Sequence, residues 1–392
     1  MITRRQFITT APGLLGSALV LSGCLKEPKS EPKSEPESDS YEAVAGRTWR
    51  LGDLSGVGGE SRNSGISGIS GKSGTALSRE LVRYATLAPS SHNTQCWKFA
   101  LGSDGHAITI LPDLSRRCPA VDPDDHHLFV SLGCAAENLV QAALAHGLKA
   151  EVSFDATQDA VHVALEPVPA QVTPLFNAIA ARQCTRGDYD GKPLSSKELT
   201  LLERAGTSKD VHMMVITEHT AMERVLEQVV QANSAQIADP AFVKELKTWI
   251  RFNGADSVRS GDGLFSATTG NPTIPSWLGE LAFGWLFTAK SENDKVARQI
   301  RSSGGIAVFV GQAADPAHWV EVGRCYERFA LQATALGIRN AFVNQPVEVA
   351  AVRPHFSSVL GLGNQRPDLV VRFGRGPAMP RSLRRPVDAV LV

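Results

Sequence analysis

The chain has no surplus of charge: forty lysines and arginines stand against forty aspartates and glutamates in 392 residues. A nucleic-acid binder needs a basic excess to neutralise phosphates, so the balance points to a small or neutral partner. Cysteine is scarce, six in all, with no C-x-x-C pair and no zinc-like spacing. That gives no zinc module of the finger type and leaves a disulfide as the alternative in an oxidising compartment. Cys96, Cys118, Cys134, Cys184 and Cys325 read instead as buried apolar thiols. No Gly-x-Ser-x-Gly elbow, Walker loop or dinucleotide fingerprint occurs. The run Asp122-Pro123-Asp124-Asp125-His126-His127 has the wrong spacing for a helical pair of metal ligands, and its acids fit the N-terminal cap of the apolar helix that follows.

Long apolar runs are missing too, apart from Phe7 to Gly23. That stretch is short of the roughly 20 residues needed to span a bilayer. Thr3-Arg4-Arg5-Gln6-Phe7-Ile8 before it resembles a twin-arginine export motif, and Leu21-Ser22-Gly23-Cys24 after it looks like a lipobox. Residues 1–24 are therefore expected to be a signal peptide with a lipid carried on Cys24, an uncleaved anchor being the alternative. This makes the chain an exported, extracytoplasmic (periplasmic) lipoprotein attached to the membrane. Residues 25–76 open with Glu27-Pro28-Lys29-Ser30, repeated as Glu31-Pro32-Lys33-Ser34, and later turn Gly/Ser-rich, so they are expected to be a disordered tether. About fifty flexible residues span roughly 40 Å, enough to hold a domain clear of the membrane.

What remains is long enough for two domains and apolar enough for a sizeable core. It carries an internal repeat. Leu128–Leu148 and His318–Ile338 both show helical apolar spacing and close on a glycine. At one constant offset they match at Val130 and Val320, Gly133 and Gly323, Glu137 and Glu327, Ala143 and Ala333, Ala145 and Ala335, and Gly147 and Gly337. A helix ending near Ser91 precedes a strand at Trp97–Leu101, just as one ending near Ser208 precedes a strand at His212–Ile216; Val161–Leu165 and Leu369–Phe373 supply later strands. The fold class is thus α+β, used twice: one half over 77–172 and a second over 173–392. The second half contains an insertion, 249–287, rich in glycine and large aromatics, which suits a lid.

Three runs carry chemistry. Ala88-Pro89-Ser90-Ser91-His92-Asn93-Thr94-Gln95-Cys96-Trp97 ends a helix in a polar turn able to bond the edge of a planar heterocycle. Arg182-Gln183-Cys184-Thr185-Arg186, if extended, puts Arg182, Cys184 and Arg186 on one face, where two guanidiniums can grip a phosphate. Asn344-Gln345-Pro346 follows the second long helix, and Pro380–Pro386 is basic near the C-terminus.

Together these runs resemble the nitroreductase family, and in particular its fused, tandem Acg-like subgroup, over most of 77–392. The family's turn reads close to A-P-S-S-x-N-x-Q-P-W and its arginine motif R-x-S-x-R/K; Cys96 and Cys184 depart from it. The resemblance implies two nitroreductase-like halves joined as a pseudo-dimer around one FMN. Ser90, Ser91, Asn93 and Gln95 would lie beside the flavin with Arg182, Cys184 and Arg186, Gln345 near its reactive edge and Arg384 near its phosphate. The serine-rich turn occurs only in the first half and the arginine motif only in the second. One complete site and one decayed site follow, in a monomer.

The expected function is FMN-dependent electron or hydride transfer to a nitroaromatic, a quinone or another small acceptor. Flavin carries that chemistry, so no catalytic side chain is named. The electron donor is open, because NAD(P)H is not normally available to an exported protein. A flavin-storage protein with a covered site, and a flavin-free binding module, are the other readings.

Overall fold

The computed structural model describes residues 40–52 and 72–392. The signal, Cys24 and most of the expected tether lie outside the described residues.

The first half comprises helix α1 (Tyr41–Thr48), α2 (Lys72–Thr86), β1 (Trp97–Leu101), β2 (Ala107–Pro112), α3 (His126–Ala145), β3 (Leu148–Asp155) and β4 (Ala160–Pro167), with α4 (Pro174–Ile179) leading out of it. Its strands form an antiparallel sheet in the order β1-β2-β4-β3. The second half opens with α5 (Ser196–Gly206), β5 (Val211–Ile216), α6 (His219–Ala238), α7 (Pro240–Trp249), β6 (Ile250–Arg251), α8 (Gly254–Ser260), β7 (Leu264–Phe265) and α9 (Ser276–Leu286). It closes with α10 (Ala289–Arg301), β8 (Gly305–Gly311), α11 (Pro316–Ala335), β9 (Arg339–Phe342), α12 (Gln345–Glu348), α13 (Arg353–Val359) and β10 (Leu369–Gly374). Its main sheet is antiparallel as well, ordered β5-β8-β10-β9. The α+β class and the twofold use of one pattern hold.

Local chemistry explains where the helices start and stop. Ser195 and Glu198 form a capping box on α5, and Asp315 caps α11 with Pro316 in its first turn. The cap of α3 comes from further back than the acids next to the helix. Asp122 accepts from His127 N–H at 3.0 Å and from Leu128 N–H at 2.9 Å, while Asp125 takes φ 57° and pairs with Arg117. Gly147 and Gly337 close the two long helices at φ 79° and 70°, a region that costs a side-chain-bearing residue energy.

The long helices α3 and α11 pack against each other in the centre of one apolar core that joins both sheets, with Leu132, Ala136, Val322, Phe329 and Leu331 fully buried. Two segments tie the halves together at their edges. The C-terminal tail returns to the first half, where Phe99 N–H donates to Val390 O at 2.8 Å and Val392 N–H to Phe99 O at 3.0 Å. The segment after α4 bridges to β9 at Cys184 and Asn340.

The stretch 25–76 is not structureless throughout, because α1 forms within it. Ser40 caps α1, and Trp49 just beyond it donates its indole N–H to Ser382 O at 2.8 Å. Burial of one large aromatic and one ring hydrogen bond offset the ordering cost that a purely polar stretch could not. The insertion 249–287 holds β6, α8, β7 and α9; Trp277, Leu281 and Trp285 on α9 face solvent, 70%, 69% and 87% exposed.

Candidate functional site

The turn after α2 is strained by design of its sequence. His92, Asn93 and Gln95 all take positive φ, 48°, 54° and 54°, a region expensive for residues other than glycine and asparagine. Buried polar bonds over-determine it. Asn93 donates to Gly263 O at 3.0 Å and Leu383 O at 3.2 Å and accepts from Arg384 Nη1 at 2.9 Å. Gln95 donates to Gly261 O at 2.8 Å and accepts from Arg385 N–H at 2.8 Å, and Ser90 Oγ accepts from Gln95 N–H at 2.9 Å. The insertion, the tail and the turn are thereby locked in one place.

Two cavities border this turn, and a third adjoins them. The smallest, about 50 Å³, is lined by Ser90, Asn93, Cys184 and four arginines: Arg182, Arg186, Arg381 and Arg384. Next to it lies one of about 280 Å³ bordered by Ser90, Ser91, His92, His127, Arg186, Gln345 and Glu348. The third, about 670 Å³, takes much of its wall from the insertion, through Phe252, Leu264, Phe283 and Phe287. Arg186 reaches all three. The structure thus brings together Ser90, Ser91, Asn93, Arg182, Cys184, Arg186, Gln345 and Arg384. Gln95 borders none of the three and serves the turn itself.

The arginines differ in how free they are. Arg182 is buried, with Nε 3.1 Å from Glu327 Oε1 and Nη2 donating to Leu87 O at 2.8 Å. Burial drives the Glu327 carboxyl up to about 7 against the pull of Arg182. Arg384 spends its donors on carbonyls of Thr86, Leu87 and Ala88, and burial followed by repulsion from Arg182 lowers it to about 9. Among the described residues, the Arg186 guanidinium has no hydrogen bond or ion pair. The cluster holds more positive charge than its one buried acid neutralises, which is what an anion site requires.

Two features escaped the sequence reading. Trp49 covers the arginine cavity, with the guanidinium carbons of Arg381 and Arg384 each 4.8 Å from its ring centre and that of Arg182 at 6.0 Å. Tyr41 anchors the same helix by a hydroxyl bond to Arg381 O. A lone Trp in a polar stretch gave the only available signal. The second feature is His127, whose Nε2 lies 3.3 Å from Asp368 O and whose buried Nδ1 has no hydrogen-bond partner, with Glu348 Oε1 at 3.8 Å. Burial raises the Glu348 carboxyl, and Gln236 donates to its other oxygen at 2.6 Å. Gln345 Oε1 is likewise buried and unpaired.

No family model matches the chain. Over 326 residues it is 25% identical to a candidate NAD(P)H nitroreductase of Mycobacterium tuberculosis, covering 80% of this chain and 90% of that protein. Another protein of that organism, acg, carries the same designation and is 23% identical over 330 residues, covering 81% and 95%. Among solved structures, a nitroreductase with bound FMN from Bacteroides fragilis aligns over 53% of this chain and 90% of its own, at 15% identity and TM-score 0.32. The FMN-dependent nitroreductase NfnB of Mycobacterium smegmatis, in complex with NADPH, aligns over 52% and 87%, at 13% identity and TM-score 0.35.

Proposed function

We propose that the chain is a nitroreductase-type oxidoreductase binding one FMN between its two halves. The observation that carries this reading is the arginine-lined cavity of about 50 Å³ beside the 280 Å³ one, with Arg186 unpaired at their junction. A phosphate suits the first and a planar ring the second. The buried, unpaired Gln345 Oε1 at the cavity wall offers an acceptor for a ring N–H. Similarity to the two mycobacterial relatives over about four fifths of this chain supports the same reading.

Bound FMN would supply two-electron transfer from a donor to an acceptor such as a nitroaromatic or a quinone. The chain's own residues do the rest. Arg182, Arg186 and Arg381 hold the phosphate end, Arg384 adds positive charge there while its donors stay on backbone carbonyls, and Ser90, Ser91 and Gln345 orient the ring. Phe252, Phe283 and Phe287 shield the larger cavity from water. His127, with its Nε2–H directed at Asp368 O, offers Nδ1 as a place to take or hold a proton at the cavity wall, with Glu348 behind it. The relatives' names point to NAD(P)H as donor. The N-terminal pattern supports a place outside the cytoplasm with an anchor on Cys24, where a reductant other than NAD(P)H would serve. A storage role is favoured by one observation, the large share of the cavity wall that the insertion provides.

Purified protein separates these readings. The oxidoreductase shows a flavin band that bleaches with dithionite and returns on adding a quinone or nitroaromatic. Colour that returns no faster with acceptor than without it means storage, and a colourless protein that takes up no FMN overturns the proposal. Labelled fatty acid retained by the wild type and lost in Cys24→Ser tests the anchor.

A further inference from the structure

His92, Cys118 and Glu245 come from three separate elements, the strained turn, the loop between β2 and α3, and helix α7. Their ligand atoms nonetheless lie within 4.8 Å of one another, with His92 Nδ1 at 3.6 Å from Cys118 Sγ. We propose that these three side chains form a binding site for a borderline-soft divalent cation, zinc before others. The site shares His92 with the wall of the cavity of about 280 Å³.

The geometry fits. Zinc bonds of about 2.3 Å to sulfur and about 2.0 Å to nitrogen at a tetrahedral angle put the two ligand atoms about 3.5 Å apart. The ligand set, one thiolate, one imidazole and one carboxylate, matches zinc preferences and leaves a fourth position for water. The carboxylate is pre-oriented, because Glu245 accepts from Ala120 N–H at 2.8 Å and Val121 N–H at 3.2 Å. Strain in His92, at φ 48°, persists where surroundings fix a functional conformation.

The neighbouring group Asp122, His126 and His127 is a poorer site despite similar proximity. There His126 is already held between Arg366 and Asp368. Binding at Cys118 replaces S–H by S–metal and releases one proton to solvent, so affinity rises with pH.

The test uses the full chain, stripped with a chelator and titrated with Zn²⁺ against a chromophoric competitor. One zinc per chain is expected, falling to near zero in Cys118→Ser, with roughly tenfold or greater weakening in His92→Gln and Glu245→Gln. Co²⁺ should give a thiolate charge-transfer band in the wild type and none in Cys118→Ser. Thermal melts check that each variant folds, and zinc should raise the melting temperature most in the wild type and not in Cys118→Ser. Unchanged stoichiometry in Cys118→Ser, or no zinc bound by well-folded wild type, overturns the proposal.

Discussion

Gly133 and Gly323 face each other's helices at the point where α3 crosses α11. A β-carbon on Gly133 would stand 2.0 Å from Val320 O, and one on Gly323 would stand 2.0 Å from Val130 O. These are matched positions of the internal repeat, so the contact is reciprocal, as across the axis of a symmetric dimer. Such close backbone approach admits no methyl group. Gly133→Ala and Gly323→Ala should each destabilise by at least about 2 kcal/mol, by similar amounts, in urea unfolding. The double variant should cost less than the sum, since one methyl already parts the helices.

Asn93 tests the strained turn. Its φ of 54° suits Asn and Gly, and its amide makes three buried hydrogen bonds. Asn93→Ala should lose about 2–4 kcal/mol of stability, and Asn93→Gly about 1 kcal/mol less than that, because only the alanine adds backbone strain. Equal losses in the two variants would mean that conformation contributes nothing.

Arg186 is expected to govern phosphate affinity. Arg186→Ala should weaken FMN binding roughly 10- to 100-fold, the worth of a charge-assisted bond. Riboflavin affinity, measured by the same fluorescence titration, should change far less. Gln95→Ala should lower the melting temperature and leave the affinity of the folded protein nearly unchanged.

The Glu327 carboxyl gives stability a pH dependence. Its folded value of about 7 exceeds the ordinary 4.5 because of burial. Between those two pH values the folded chain keeps a proton that the unfolded chain has released. Stability from this group is therefore greatest below 4.5 and declines as pH rises to about 7. Glu327→Gln should flatten that slope in urea unfolding across the same window.

Trp49 covers the arginine cavity, so removing it should open the site. Trp49→Ala, or deletion of residues 1–50, should speed FMN exchange by about tenfold or more, followed by fluorescence after mixing with excess riboflavin phosphate analogue. No change in exchange would show that α1 is only packing.

Much of this was legible in the residues. The strand over Trp97–Leu101 and the paired long helices follow from apolar spacing, and matched glycines announce the duplication. The convergence of Ser90 with Arg182 and Arg186 follows from motifs found once each in a doubled fold. What hid was nonlocal. Trp49 sits in a stretch whose composition argues against structure, and tertiary contacts with three arginines and Ser382 O order it. Gln95 matches a motif position yet spends both amide atoms on backbone. His127 and Glu348 are 221 positions apart, and nothing periodic links Cys118 to Glu245.

Joining both halves in one polypeptide changes how the central cleft responds to dilution. Two separate subunits sharing a cleft lose it as protein concentration falls below their dissociation constant, whereas here the arginines and the serine-rich turn cannot drift apart. A chain of this kind keeps its cleft whole at any dilution.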